Sequence, residues 1–347
     1  MSRRAVSALF CAGWLWLPTT ALAQKYTIVS VCHTENKVAE VDPATGRTLR
    51  TFVVPGEWVG ETHEGAITRD GKTMYVSTPY QKQVLVLDLD TFKQKGAIES
   101  EFFSRPRETR RFVRIGERET TSADPHGVAL NNDESKLYVS VEFGDPPGVV
   151  AVDLKTGKTS KIETGGAGGN YLWVQPNTDK LYLPTRDNRV VVIDTKTDKV
   201  LRSIPVQGGP NGVDFSPNGE VWVNGDRDGS VTVIDSKTDQ VVKVIQPRAK
   251  GPGRVAASPD GRFVAATHGP EVSVIDVATK QIVADLKISL DDPGHGFPLF
   301  SPDSSVLHVM NELSNDMVTF DLKTMKQVGA RVPIGEASFG GGIRVVN

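Results

Sequence analysis

Cysteine is nearly absent from this 347-residue chain: there are two, Cys11 and Cys32. Cys11 falls within a segment expected to be removed, so no intramolecular disulfide can support the fold. No apolar run approaches the roughly 18 residues that a membrane-crossing helix needs, which predicts a soluble chain with no membrane insertion. Neither sign of charge dominates. The 40 Lys and Arg against 42 Asp and Glu give a net charge of −2, with acids and bases intermixed. That argues against nucleic acid or an acidic membrane surface as a partner. Helical periodicity is missing throughout. So are a nucleophile elbow, a His-Glu-x-x-His helix and a phosphate-cradling loop; the glycine cluster Gly165 to Gly169 lacks the Lys-Ser/Thr that such a loop requires. No Asn-x-Ser/Thr sequon occurs, which suits a bacterial periplasm better than a eukaryotic secretory route.

What is present begins with a leader. Arg3 and Arg4 precede an apolar run from Ala5 to Leu17, and Ala21-Leu22-Ala23 follows. These are the parts of a secretory signal with an A-x-A-type cleavage site, over residues 1–23. The mature chain is then expected to start at Gln24 and to be periplasmic or secreted. Cys11 is not at the cleavage point, which argues against a lipid anchor.

The remainder, residues 24–347, is longer than a usual domain, and a repeat explains why. The stretch VVVIDTKTDKV, Val190 to Val200, is the unit. A run of apolar, mostly β-branched residues closed by Asp-x-x-Thr occurs seven times, ending at Asp42, Asp88, Asp153, Asp194, Asp235, Asp276 and Asp321. The threonines are Thr45, Thr91, Thr156, Thr197, Thr238, Thr279 and Thr324. The three spacings from Asp153 to Asp276 are 41 residues each, and the outer ones are 46, 65 and 45. A fixed period in this range marks a solenoid, propeller or array. Within one period, Asn211 to Gln246 reads as four short strands with turn signals between them. The third is apolar at nearly every position, as for a strand covered on both faces.

These features predict an all-β fold, a seven-bladed β-propeller with four-stranded blades, as one domain. The blades are expected at about 26–55, 56–124, 125–167, 168–208, 209–250, 251–290 and 291–335. The first lacks its innermost strand, and the C-terminal GGGIRVVN is expected to supply it and close the ring, so no partner strand is needed and a monomer is expected. A β-helix is the alternative fold, but its repeats are shorter. Both side chains of each Asp-x-x-Thr pair can bond nearby backbone N–H groups, so these carboxylates are read as structural.

The repeat motifs include SPNG and SPDG turns (Ser216 to Gly219, Ser258 to Gly261), MYVS (Met74 to Ser77), LYVS (Leu137 to Ser140) and V-x-V-I-D-x-x-T. On these the mature chain resembles the YVTN-type propeller family over essentially its whole length. The resemblance implies an exported seven-bladed propeller and leaves the activity open. The wider group includes streptogramin lyases and lactonases, which do chemistry in the central funnel. It also includes haem d1 propellers, whose eight blades match this chain poorly.

Propeller connectivity puts the loop leading into each inner strand on the same rim as the loop between strands two and three. His63, His126 and His295 each stand just before an inner strand, and His33 and His268 fall in second-to-third-strand loops of that rim. Only His308 lies within a strand. Asn170 and Asn211 take the inner position in blades four and five, with Arg186 and Arg227 in the neighbouring loops. Glu64, Tyr171, Trp58 and Arg254 are expected beside this polar ring. Three neutral imidazoles, His63, His126 and His295, would suit one divalent transition metal with an open position. Without a metal, His and Glu64 would suit acid–base work. Arg186 and Arg227 would suit a carboxylate. The plainer alternative is that the histidines merely line a water-filled channel.

The 65-residue spacing carries an insertion at about 99–124. It would be either a solvated loop or a lid, with Arg107, Arg110, Arg111 and Arg114 facing a ligand and Phe102, Phe103 and Phe112 packing it down. Cys32, at the end of an apolar strand, reads as a small buried hydrophobe. The expected function is binding of a small ligand, a metal or a periplasmic partner protein at the histidine-rich rim. The alternative is a funnel-type lyase, isomerase or hydrolase acting on an anionic or oxygenated small molecule.

Overall fold

The computed structural model describes residues 25–32, 35–55, 62–103, 112–115, 118–121, 124–288, 296–334 and 338–346. The leader, His33, Trp58, His295 and the insertion's Arg107, Arg110 and Arg111 lie outside the described residues, as do the side chains of Phe112 and Arg114.

Seven four-stranded antiparallel sheets make a ring, and among the described residues there is no α-helix. From the axis outward, blade two has Gly65–Ile67, Thr73–Thr78, Gln83–Asp88 and Lys93–Glu99. Blade three repeats the plan with Val128–Leu130, Lys136–Val141, Gly148–Asp153 and Thr159–Glu163. Inner strands Trp173–Val174, Pro210–Phe215, Val255–Ala257 and Gly296–Phe300 open blades four to seven. Blade one is closed from the far end of the chain. Ser338–Val345 runs antiparallel to Tyr26–Cys32, with Ile343 opposite Ile28, and supplies the missing inner strand.

Each blade is stabilised at its edges by the aspartate-threonine turn. Asp153 accepts from the amides of Lys155 and Thr156 and from the Thr156 hydroxyl, at 3.0, 2.7 and 2.9 Å. Asp88, Asp276 and Asp321 repeat the pattern with Thr91, Thr279 and Thr324. Ionised oxygens taking several N–H bonds lie below the usual carboxylate range, as at Asp153, where the Thr156 amide is the largest cause. These are turn fasteners.

The core lies between the blades. Each of seven apolar clusters among the described residues joins two neighbouring sheets, for example Val29, Val31 and Val38 of blade one with Met74, Val76 and Leu85 of blade two. The third strands are buried on both faces, whereas the outer strands are exposed at most positions, as at Lys199–Pro205. The ring therefore has no free sheet face to bury elsewhere. Cys32 is fully buried, with its thiol 3.7 Å from the Ile334 carbonyl. Phe102 and Phe103 of the insertion pack into the cluster between blades two and three rather than over the axis. Farther along the insertion, Phe112–Ile115 and Arg118–Thr121 pair as a hairpin.

Candidate functional site

The register of the inner strands is set by a recurring bond. In blades two, three, five and six the backbone amide at one step of the inner strand's approach donates to a side chain on strand two: Glu64 to Ser77 Oγ (3.0 Å), Gly127 to Ser140 Oγ (2.7 Å), Gly212 to Asn224 Oδ1 (2.6 Å) and Arg254 to Thr267 Oγ1 (2.8 Å). Three of these four acceptors then donate onward to the next blade, Ser140 Oγ to the Asn170 carbonyl among them. Asn224 Nδ2 reaches the Gly253 carbonyl and Thr267 Oγ1 the Gly296 carbonyl, both at 2.8 Å. The inner positions are thus locked blade to blade, and equivalent sequence positions stand at equivalent heights. His63, His126 and Asn211 share the height just before the locked step. Glu64 and Arg254 share the step itself with Gly127 and Gly212.

That alternation of large and absent side chains lets the large ones cross the axis. A Cβ on Gly212 would lie 3.1 Å from Arg254 Cδ, and one on Gly340 would lie 2.7 Å from Glu64 Oε1. Arg254 lays its guanidinium carbon 4.0 Å from the centre of the Tyr171 ring and 5.1 Å from that of Phe297. His63 packs 5.5 Å from Tyr171, and His63 and His126 meet edge to face with ring centres 4.5 Å apart. The histidines were expected at an open mouth, but they are only 4% and 5% exposed, and Tyr171 and Arg254 only 1% and 4%. Aromatic and guanidinium packing across the axis closes the channel at their level.

The acids of this pole are mostly engaged. Asp124 is fully buried, with Oδ1 3.2 Å from His126 Nδ1, and accepts the amides of Glu142 (2.8 Å) and Phe143 (3.1 Å). Burial still raises its carboxyl above the ordinary range. Glu142 pairs with Arg186. Asp226 accepts from Asn211, from Asn224 Nδ2 at 3.1 Å and from the Gly253 amide at 3.2 Å. Burial pushes Glu64 up to about 8, against the opposing pull of Arg254. Arg254 is the exception to this satisfaction. Its Nη1 donates to the Gly253 carbonyl at 2.8 Å and stands 4.0 Å from Asp226, but Nε and Nη2 find no acceptor among the described residues.

The structure therefore brings together His63, His126, Glu64, Tyr171 and Arg254, with Asn170 beside Tyr171 in the chain and its carbonyl accepting the Gly127 amide. Asn211, Arg186 and Arg227 flank them. Arg186 and Arg227 are exposed; Arg186 is committed to Glu142, and Arg227 Nη2 donates to the Arg186 carbonyl at 3.1 Å. His268 does not join the pole. It ends strand two of blade six instead of lying in the loop, is 1% exposed, and faces Gly229 of blade five. Burial drives its imidazole down to about 4. Among the described residues no group of three or more His, Cys, Asp and Glu is placed to hold a metal ion. His33 and His295, the other two histidines of this rim, lie outside the described residues.

Sequence reasoning missed Asp124, Glu142, Asp226 and Phe297. A signal existed for three of them. Asp124 stands two residues before His126, and Glu142 and Asp226 each follow directly on a second strand, the step that Arg186 occupies in blade four.

Fold and pole together define a seven-bladed β-propeller with a buried polar cluster at one end of its axis. The sequence matches no family model and no curated protein. Solved structures similar to it include the hydrazine synthase of Kuenenia stuttgartiensis, at 20% identity over 83% of this chain and 91% of that one, TM-score 0.68. Another is a functionally unknown protein from Desulfotomaculum acetoxidans DSM 771, at 15% identity over 91% of this chain and 98% of that one, TM-score 0.71. At these identities the likeness is one of fold alone.

Proposed function

We propose that this chain is an exported propeller, of the YVTN type its repeat resembles, that binds a small anionic molecule bearing a carboxylate or similar oxyanion at the Arg254 pole. One observation carries the reading. Arg254 is a buried cation whose Nε and Nη2 find no acceptor among the described residues, while its Nη1 donates to the Gly253 carbonyl and stands 4.0 Å from Asp226. Leaving N–H donors of a buried guanidinium unbonded is costly, so such donors are normally matched by an acceptor. Nε and Nη2 form the edge of a guanidinium that takes an oxyanion through two parallel bonds. His63 and His126 stand alongside, and Tyr171 holds the guanidinium flat.

A calorimetric titration with succinate and with acetate tests this, using the wild type and Arg254→Met. The wild type should bind at least one of the two. Losing one partner of a buried, hydrogen-bonded charge pair costs about 2 kcal/mol or more, so the variant should bind on the order of 30-fold more weakly. Equal binding by both proteins would refute the assignment.

A second reading, a funnel-type enzyme, is favoured by the Asp124–His126 contact. A carboxylate on Nδ1 orients an imidazole and raises the basicity of its far nitrogen, the arrangement used by general bases and by metal-ligating histidines. Elemental analysis of chelator-free protein separates the two forms of that reading. Near-stoichiometric zinc, copper or manganese, lost in the His63→Ala/His126→Ala double variant, would make it metal-assisted.

A further inference from the structure

The axis holds a second compartment. Beyond Glu64 and Tyr171 lies a cavity of about 320 Å³. Its walls are Ile67, Val128, Leu130 and Val174, with Trp173 among them, and its lining runs to Arg69, Asn131, Asn132 and Glu134. Those last residues belong to the turns between first and second strands, so the cavity extends toward the rim opposite the histidines. Its volume falls at the small end of the range for organic ligands.

Most of its polar residues are already committed. Arg69 donates its guanidinium to the Asn132 carbonyl, and its amide donates to Glu134 Oε1 at 2.7 Å. Asn131 accepts the Lys136 amide at 2.9 Å and donates to Ser135 at 3.2 Å. Asn132 donates to the carbonyls of Gln175 and Thr178 and accepts the Asn177 amide. These bonds build the turns. What remains for a ligand is the Glu64 carboxyl, the Trp173 indole and aliphatic walls.

We infer that this cavity is a binding site for a small organic amine, whose ammonium pairs with Glu64 and lies near Trp173 while its alkyl part lines up along Ile67 and Leu130. The chemistry is specific. A buried carboxyl held protonated gives up its proton when a cation joins it, and an ammonium supplies both that charge and hydrogen-bond donors. An indole adds the attraction of its ring face for a cation. An anion is disfavoured, because it would have to be buried against a carboxyl. The nearest competing cation is Arg254, and it is held on Tyr171 and aimed at the pole. Burial outweighs the pull of Arg254 and holds the Glu64 carboxyl up.

Butylamine and its neutral counterpart 1-butanol, titrated calorimetrically into the full chain, test it. The wild type should prefer butylamine by at least tenfold. Glu64→Gln, of the same shape, should erase that preference, and Trp173→Leu should reduce it severalfold. Arg254→Met should retain it, which separates this site from the anion pole. Equal affinity for amine and alcohol in the wild type, an unchanged preference in Glu64→Gln, or no binding of butylamine at millimolar concentration would each overturn the proposal.

Discussion

Replacing Glu64 by glutamine should stabilise this protein at neutral pH, by an amount that grows with pH. In the unfolded chain Glu64 ionises near its ordinary 4.5, whereas in the folded protein burial holds it protonated to about 8. Between those values the folded state binds more protons than the unfolded one. Its stability contribution is therefore full below about pH 4.5 and declines as the pH rises toward 8. At pH 7, about 2.5 pH units into that window, the loss is on the order of 3 kcal/mol at about 1.4 kcal/mol per unit. Cavity water around the carboxyl trims this, so it is an upper figure. Glutamine fills the same space with no proton to lose and escapes the penalty. Chemical denaturation of both proteins at pH 5, 6, 7 and 8 reads the difference. The curves should nearly coincide at pH 5 and separate steadily above it, with the variant the more stable. Parallel behaviour across the whole range, or a variant less stable at pH 7, would refute the reasoning. The result also serves the amine experiment, because a variant that folds better than its parent cannot lose a ligand through unfolding.

The opposite slope is expected from two buried histidines, His268 and His308. Both are driven down to about 4 by burial, below the ordinary 6.5, so the stability they contribute is present above 6.5 and lost as pH falls toward 4. His308 is held between Tyr26 Oη at 2.7 Å and Thr319 Oγ1 at 2.8 Å; His308→Gln should shallow the acid limb of a melting-temperature profile, and an unchanged limb would count against this. Removing residues from Ser338 onward deletes the inner strand of blade one and the Arg344 pairing to buried Glu40, 3.1 Å away. The truncated chain should lose hydrogen-exchange protection first along Tyr26–Cys32, and retained protection there would contradict strand closure.

The fold was legible because its signals are local and repeated. A buried third strand needs apolar residues at every position, and the turn after it needs Asp and Thr three apart, so seven copies betray seven blades. The closing strand was legible for the same reason, since blade one visibly lacked one. The pole was partly legible. Topology alone places His63, His126, Glu64 and Arg254 at one end of the axis, because inner strands of equal register bring equal positions to equal height. What topology leaves open is direction and pairing. Arg186 and Arg227 read as the carboxylate binders, yet Arg186 pairs with buried Glu142 and Arg227 donates to the Arg186 carbonyl, while Arg254 goes inward over Tyr171. The difference comes from the glycines at 212 and 340, which clear space on the axis, and from loop acids whose side chains obey no period-two rule. Phe102 and Phe103, read as anchors of the insertion were it a lid, pack in an apolar groove between blades two and three.

The central claim is that Arg254 is the anchor of an anion site. A crystal structure of the wild-type protein grown with succinate tests it most directly. The account predicts a carboxylate within hydrogen-bond distance of Arg254 Nε and Nη2, with His63 or His126 contacting it. Succinate bound elsewhere, or both nitrogens satisfied by a side chain of the protein itself, would contradict it.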